Sequence, residues 1–141
     1  MILYLDSSAI VKRYIAEYGS ELVNGWINEA EVAAIGIIAR VEVSAAIAKA
    51  RRMKLVLPEA AEKALDLFHA EWPTFYRLPV NEAILSLADD LAFAQDLRGY
   101  DATHLACAVV WQDAMNEGIT LATFDAQLRQ AAIKLQLAVL P

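Results

Sequence analysis

The chain is organised around its first nine residues, Met1-Ile2-Leu3-Tyr4-Leu5-Asp6-Ser7-Ser8-Ala9. Its apolar part, Ile2 to Leu5, has no alternating polar face, which is typical of a parallel strand covered by helices on both sides. Asp6 follows at the carboxyl end of this strand, and Ser7 and Ser8 are favourable residues for starting a helix. Ligands of open α/β sheets bind at the carboxyl ends of strands, so Asp6 is a candidate site residue. Asp6 is also a common type of helix cap, and this stretch alone does not separate the two roles.

The composition is that of one globular domain over residues 1–141. The chain is 58% hydrophobic and 21% charged, which is enough apolar material for a substantial core. Its most apolar stretch, Val32 to Ala48, is interrupted by Arg40 and Glu42, so no membrane-spanning segment is expected. Asp6 falls where a signal peptide would need apolar residues, and we therefore expect a cytoplasmic protein.

The charge argues against a protein that coats nucleic acid by bulk electrostatics, because the formal net charge is −6. If four carboxylates bind a cation, the remaining charge is nearly balanced and local basic clusters can still matter. The clearest cluster runs from Lys49 to Lys54. It fits either a phosphate contact or a solvated helix end stabilised by the helix dipole. The single Cys107 lies in an apolar run and is expected to be a buried thiol.

Strand and helix patterns alternate along the chain. Apolar strands are predicted at residues 2–5, 32–35, 75–78 and 119–122, with a short edge strand at 138–140. Helices are predicted at residues 7–18, 20–28, 38–52, 58–72, 81–96, 102–116 and 126–135. This order predicts an α/β fold in which a mostly parallel sheet of four to five short strands is sandwiched between helices.

Three further carboxylates occupy places comparable to that of Asp6. Asp125 follows the strand at 119–122, and Asp101 opens the helix that begins at Ala102. Glu42 lies about one turn into its helix, where a carboxylate beside apolar residues is unfavourable unless it is paired or bound to metal. A salt bridge to a nearby arginine is the alternative for Glu42. The apolar stripe that we predict for this helix consists of Ile38, Val41, Ala45 and Ala48.

The four carboxylates together predict a cation site. The carboxyl ends of neighbouring parallel strands share one edge, so these side chains are expected to converge there. Crowded carboxylates repel one another, and a divalent cation removes the conflict. All the candidate ligands are hard oxygens, so Mg²⁺ is expected, with Mn²⁺ possible. Such a site favours phosphodiester hydrolysis, although each aspartate taken singly has an ordinary capping explanation.

Four sequence blocks also resemble those of PIN-domain nucleases, and in particular the VapC ribonuclease toxins of toxin–antitoxin pairs. The blocks are Leu5-Asp6-Ser7-Ser8-Ala9, Val41-Glu42-Val43, Tyr100-Asp101-Ala102-Thr103-His104-Leu105-Ala106 and Thr123-Phe124-Asp125-Ala126-Gln127-Leu128. The third block is the most specific.

The resemblance implies a three-layer α/β/α sandwich and a Mg²⁺-dependent endoribonuclease. It assigns metal binding and water activation to an acidic quartet matched by Asp6, Glu42, Asp101 and Asp125. Thr123 matches a supporting hydroxyl, and Ser7 is a second candidate for support. The resemblance further implies an RNA substrate, a cognate antitoxin and a homodimer.

Several polar residues near these blocks have two interpretations. His104 lies three residues after Asp101, where it either touches substrate or packs, and the family pattern favours packing. Lys12, Arg13 and Arg98 are either phosphate contacts or exposed helix cations.

Two other functions compete with the nuclease. The first is a catalytically silent PIN-like binding module whose acidic pocket docks a basic partner peptide. The second, an aspartyl-phosphate domain, is disfavoured because Ser7 and Ser8 follow Asp6, so the paired aspartates of that class are missing.

Overall fold

The computed structural model describes residues 1–141. Its centre is a five-stranded sheet in the order β3-β2-β1-β4-β5, with every neighbouring pair parallel. The strands are β1 (Ile2–Leu5), β2 (Val32–Gly36), β3 (Tyr76–Leu78), β4 (Thr120–Ala122) and β5 (Ala138–Leu140). The opening strand is the central one, and the predicted parallel sheet is confirmed.

Seven helices cover the two faces of this sheet. They are α1 (Ser7–Ile10), α2 (Ser20–Glu29), α3 (Ala39–Arg52), α4 (Pro58–Glu71), α5 (Glu82–Gln95), α6 (Gly99–Met115) and α7 (Ala126–Lys134). Ile2 and Tyr4 pack with α5, α6 and α7, whereas Leu3 and Leu5 pack with α1 to α4. Alternate side chains of a strand point to opposite faces, so β1 contributes to both cores. The predicted three-layer sandwich is confirmed.

The first helix is shorter than predicted. It ends at Ile10, and a 3-10 turn, Val11–Arg13, replaces the expected continuation to residue 18. Ile10 and Ile15 are both buried in the same core. In a continued α-helix these two residues would lie about 140° apart around the axis, so only one would face that core. Gly19 adopts a positive φ of 90° and precedes α2, so it starts the next helix.

The buried face of α3 differs from the predicted stripe. The buried residues are Ala39, Val43, Ile47 and Ala50, whereas Val41 is 63% exposed. Both sets of residues have helical spacing, and the phase of the helix is decided by its packing against β1 and α4. The consequence for Glu42 is that it lies at the border of the buried face and is only 20% exposed at its side chain.

The start of α6 also differs from the prediction. The helix begins at Gly99, so Asp101 is its third residue and not the residue that precedes it. Arg98 occupies the capping position with extended backbone and makes no side-chain cap. The small residues Ala102 and Ala106 are fully buried, and this lets α6 pack closely against the sheet.

The remaining predictions concern side-chain packing. Cys107 is 1% exposed, which confirms the buried thiol, and burial raises its pKa to about 11. Phe75 is buried and Trp72 packs edge-on against Phe68 at 5.6 Å, whereas Tyr76 is 55% exposed and stacks on Trp111. No helix of the molecule combines the length and apolarity that crossing a bilayer requires.

Candidate functional site

The junction of β1 and α1 fixes Asp6 at the carboxyl edge of the sheet. The Asp6 backbone N–H donates to the carbonyl oxygen of Ala122 at 3.2 Å, which joins this junction to the end of β4. The Asp6 side chain caps α1, because its Oδ1 accepts the Ala9 N–H at 2.9 Å. The capping role proposed for Asp6 is therefore real, and it uses only part of the carboxylate's accepting capacity.

Two hydroxyls hold the other positions of the Asp6 carboxylate. Thr123 Oγ1 donates to Oδ2 at 2.7 Å, and Ser8 Oγ lies 2.8 and 2.9 Å from the two oxygens. Asp6 is 2% exposed. Burial raises the pKa of Asp6, while nearby His104 and these hydrogen bonds act in the opposite direction. Thr123 also accepts the Asp125 N–H at 3.1 Å, so it links two of the predicted acids.

Glu42 is held by a different set of partners. Its Oε1 lies 2.7 Å from both Ser7 Oγ and His104 Nε2. Burial is the largest influence on Glu42 and opposes its ionisation, yet the hydrogen bond and attraction from His104, together with Ser7, lower its pKa. Ser7 therefore contacts Glu42 and not Asp6. The predicted alternative of an arginine partner for Glu42 is replaced by a histidine.

Asp101 and Asp125 are joined by one guanidinium. Arg98 Nε lies 2.8 Å from Asp101 Oδ2, and Arg98 Nη2 lies 3.0 Å from Asp125 Oδ2. Asp125 also caps α7, because its Oδ1 accepts the Leu128 N–H at 2.8 Å. The Arg98 side chain is 73% exposed, whereas those of Asp101 and Asp125 are 12% and 24% exposed. Two acids at the rim therefore share one exposed cation.

An open cleft of about 580 Å³ lies beside these side chains. Its polar lining includes Glu42, Arg98, Asp101 and Thr103, and Tyr100 supplies the hydrophobic part. The cleft is therefore bordered by acids from α3 and α6. It has room for a ligand much larger than an ion.

The four acids do not converge on one point as they stand. No three acidic, histidine or cysteine side chains form a group that could hold one metal ion. Asp101 and Asp125 share Arg98, and Asp6 is surrounded by its own donors. The donor set nevertheless consists of carboxylate oxygens, which suit Mg²⁺ or Mn²⁺. Asp101 and Asp125 already hold the positive charge of Arg98 between them. The residues therefore fit a metal cation if this exposed side chain moves aside.

Sequence reasoning missed several partners of the acids. It did not assign Tyr4, Ser8 or Arg98 to the site, although Arg98 was considered as a phosphate contact. His104 is buried, as the packing interpretation expects, but it is hydrogen-bonded through both nitrogens. Tyr4 and Ser8 could have been assigned to the site from their position alone, since each lies within two residues of Asp6.

Lys12, Arg13 and the basic cluster from Lys49 to Lys54 make no salt bridge with the four acids. Lys12 pairs with Glu17 at 3.0 Å and lies over the ring of Phe124, and Arg13 pairs with Glu71. Lys12 and Arg13 are therefore not exposed helix cations, which was one of the two interpretations of these residues. The cluster from Lys49 to Lys54 is exposed around the last turn of α3, as its helix-end interpretation expects.

Comparisons with known proteins agree with the fold. The crystal structure of PAE2754 from Pyrobaculum aerophilum matches with a TM-score of 0.68 and 21% identity, covering 99% of this chain and 83% of that one. The structure of VapBC2 from Rickettsia felis, bound to a DNA fragment from their promoter, matches with a TM-score of 0.62 and 15% identity, covering 99% and 98%. At such identities the matches establish the fold alone.

Sequence comparison identifies the family. Ribonuclease VapC45 of Mycobacterium tuberculosis (strain CDC 1551 / Oshkosh) is 33% identical over 132 residues, which cover 93% of this chain and 89% of the relative. The family model described as PIN domain matches residues 3–134. By this match over nearly its whole length, the chain belongs to the PIN-domain family.

Proposed function

We propose that this chain is a Mg²⁺-dependent endoribonuclease of VapC type, the toxin of a toxin–antitoxin pair. The observation that carries the proposal is the acidic cleft, in a chain 33% identical to a protein named as a VapC ribonuclease. Glu42 and Asp101 line the cleft, Arg98 links Asp101 to Asp125, and Thr123 links Asp125 to Asp6. In this proposal the four acids hold the metal, with Mn²⁺ as a possible substitute.

The acids of the site differ in how firmly the chain holds them. Asp6 is fixed by Ser8, Thr123 and the Ala9 N–H, so it keeps its position when a ligand enters. Asp101 Oδ2 and Asp125 Oδ2 are held only by exposed Arg98, while Asp125 Oδ1 caps α7, so these two Oδ2 atoms can accept another cation. When bound, Mg²⁺ acts as a Lewis acid on a phosphodiester and its attacking water. Released Arg98 remains beside the cleft, where its guanidinium suits a substrate phosphate.

Assembly with an antitoxin is proposed on similar grounds. One of the matching structures is that of VapBC2 from Rickettsia felis bound to a DNA fragment from their promoter. In this chain the acidic cleft already holds one guanidinium, that of Arg98. An antitoxin carrying a basic side chain would compete with Arg98 for the same two carboxylates. A homodimer and a cytoplasmic location belong to the same proposal.

The cleavage of a mixed cellular RNA pool by purified, partner-free protein tests the function. We expect discrete fragments with Mg²⁺, none with EDTA, and none with Asp101→Asn. Asp89→Asn is the matched control, because Asp89 is an exposed aspartate in the middle of α5. Cleavage that persists in Asp101→Asn at saturating Mg²⁺ contradicts the site assignment.

A binding module is the competing function, and the Arg98 bridge is the observation that favours it. The same two carboxylates would dock a basic peptide without any metal. Calorimetry with Mn²⁺ separates the two functions. A folded protein that binds a basic peptide but takes up no Mn²⁺ or Mg²⁺ at millimolar concentration supports the binding module and contradicts the nuclease.

A further inference from the structure

A chain of buried hydrogen bonds reaches Glu42 from the core. His104 is 1% exposed and Tyr4 is 0% exposed. Nδ1 of His104 lies 2.8 Å from the Tyr4 hydroxyl, and Nε2 lies 2.7 Å from Glu42 Oε1. Ser7 Oγ donates to the same carboxylate oxygen at 2.7 Å. The histidine thus connects a core tyrosine of β1 with an acid at the rim of the cleft.

For an ionised Glu42 and a neutral His104, hydrogen-bonding capacity sets the direction of this chain. An ionised carboxylate can only accept, so Nε2–H of His104 donates to Glu42. In the neutral imidazole Nδ1 is then an acceptor, and the Tyr4 O–H donates to it. Glu42 Oε1 thus receives two donors. Its other oxygen, Oε2, makes no hydrogen bond within the chain.

The backbone of β2 leaves room for this arrangement at Gly36. A Cβ atom at this position would lie 2.9 Å from the Tyr4 hydroxyl and 3.6 Å from His104 Nδ1. Any side chain there would therefore displace the Tyr4 hydroxyl that is hydrogen-bonded to His104. Gly36, Tyr4 and His104 are therefore packed closely together. A histidine that only fills apolar space would not need this close packing.

We propose that His104, oriented by Tyr4, is a positioning residue that fixes Glu42 Oε1 and leaves Oε2 available to the cleft. The inference rests on the proposed function, because it assigns a reason for holding this carboxylate. A long glutamate side chain loses considerable rotamer freedom when it is held in one geometry. Donors fixed by the core supply that restriction before any ligand arrives. Outer partners of a metal-binding carboxylate typically change affinity or activity by about 10- to 100-fold.

The first test concerns the hydrogen-bond chain and needs no metal or substrate. Nitrogen NMR of the histidine-labelled, metal-free protein at mildly alkaline pH reports which ring nitrogen carries the proton. We expect His104 to be protonated at Nε2, and its Nδ1 signal to shift in Tyr4→Phe as an acceptor that has lost its donor. Exposed His69 provides an internal reference in the same spectrum. A His104 protonated at Nδ1, or one unchanged by Tyr4→Phe, overturns the inference.

The second test compares variants of His104 in Mn²⁺ binding and in RNA cleavage. His104→Leu removes the donor and should lose about 10- to 100-fold in Mn²⁺ affinity or in kcat. His104→Gln keeps an N–H donor near the position of Nε2 and should recover part of the loss. A purely structural role would instead lower the melting temperature of both variants and leave metal affinity and kcat of the folded fraction unchanged. His69→Leu is the matched control.

The outcomes keep this inference separate from the proposed function. If wild-type protein cleaves RNA and His104→Leu cleaves and binds Mn²⁺ equally well, the positioning role is wrong while the nuclease stands. If the wild type neither binds metal nor cleaves, the proposed function fails and the NMR result still decides whether His104 holds Glu42. Should His104→Leu fail to fold, Tyr4→Phe removes one hydroxyl only, and wild-type metal affinity and kcat in that variant count against the inference.

Discussion

Two arginines of this molecule bind acids in opposite ways, and Arg13 makes the closed arrangement. It donates two hydrogen bonds to Glu71, at 2.6 and 2.8 Å, and a third to Asn24 at 3.1 Å. Glu71 also accepts the Tyr14 hydroxyl at 2.9 Å. The Arg13 and Glu71 side chains are 24% and 23% exposed. This pair joins the turn after α1 to the end of α4 and leaves little capacity for another partner.

Arg98 makes the open arrangement. It donates one hydrogen bond to each of two acids, Asp101 and Asp125, and its side chain is 73% exposed. Exposed ion pairs contribute little to stability because water and salt screen them. An ion pair that stabilises the fold is therefore distinguished from one that can be exchanged by its exposure and by its number of hydrogen bonds.

Among the variants, removal of an acid from the open Arg98 arrangement should change cleavage most. Asp125→Asn keeps an oxygen that caps α7 but removes the charge, so cleavage should fall by more than about 100-fold, beyond the effect of outer partners. The unfolding free energy should change by no more than about 1 kcal/mol, since the lost pair is exposed. Cleavage assays and urea unfolding measure the two quantities. A variant that cleaves like the wild type removes Asp125 from the site.

The closed pair should respond in the reverse manner. Glu71→Gln removes the charge that accepts two Arg13 hydrogen bonds, and hydrogen bonds to charged groups contribute about 1.5–3 kcal/mol. We expect a loss of stability in the lower part of that range, with kcat of the folded protein unchanged. Urea unfolding and cleavage under native conditions provide the measurements. A fall in kcat without a fall in stability would show that Glu71 serves the reaction and does not stabilise the fold.

The pH dependence of stability sharpens the role of Glu71. Its hydrogen bonds with Arg13 lower its pKa in the folded protein below the ordinary value of 4.5. A lowered carboxyl pKa contributes stability that is complete above the unfolded-state pKa and is lost as pH falls through the folded-state pKa. The stability difference between wild type and Glu71→Gln should therefore be constant near neutrality and shrink below about pH 4.5. Urea unfolding at several pH values measures it, and a difference that grows on acidification contradicts the assignment.

The smallest expected effect concerns Arg98 itself. Arg98→Ala removes an internal cation that competes for Asp101 and Asp125, so Mn²⁺ should bind more tightly in the absence of RNA. The gain should not exceed about tenfold, because an exposed pair is worth at most about 1 kcal/mol. Calorimetry measures the affinity, with Arg77→Ala, on the exposed edge strand, as a control. Weaker Mn²⁺ binding in Arg98→Ala would show that Arg98 supports the metal site.

The sheet and its helices could be predicted because their signals are local. The apolar run of β1, the cap at Asn81 and the first-turn Pro58 each act within a few residues, and all three are found in place. The phase of α3 could not be predicted in the same way. Two sets of residues with helical spacing share that helix, and only contacts with other elements select Val43 over Val41 as the buried residue.

The acidic residues of the site could be predicted from the sequence, but their hydrogen-bond partners could not. Asp6 and Asp125 were recognisable because each follows a strand, yet their contacts with Thr123 and Arg98 depend on elements distant in sequence. Glu42 was recognisable as a misplaced charge. Its partner His104 lies on α6, 62 residues away, so spacing alone carried no signal for that contact.

The position of β1 in the sheet affects when the site residues come together during folding. Leu5 pairs with Ile35 on one side and with Ala122 on the other. β1 and β4 lie far apart in the sequence, and Thr123 directly follows β4. Long-range pairing of this kind forms late because the intervening chain must be closed first. The hydrogen bond between Asp6 and Thr123, which are 117 residues apart, therefore forms only when β4 has joined β1, and a partly folded chain with β4 unpaired holds Asp6 without this donor.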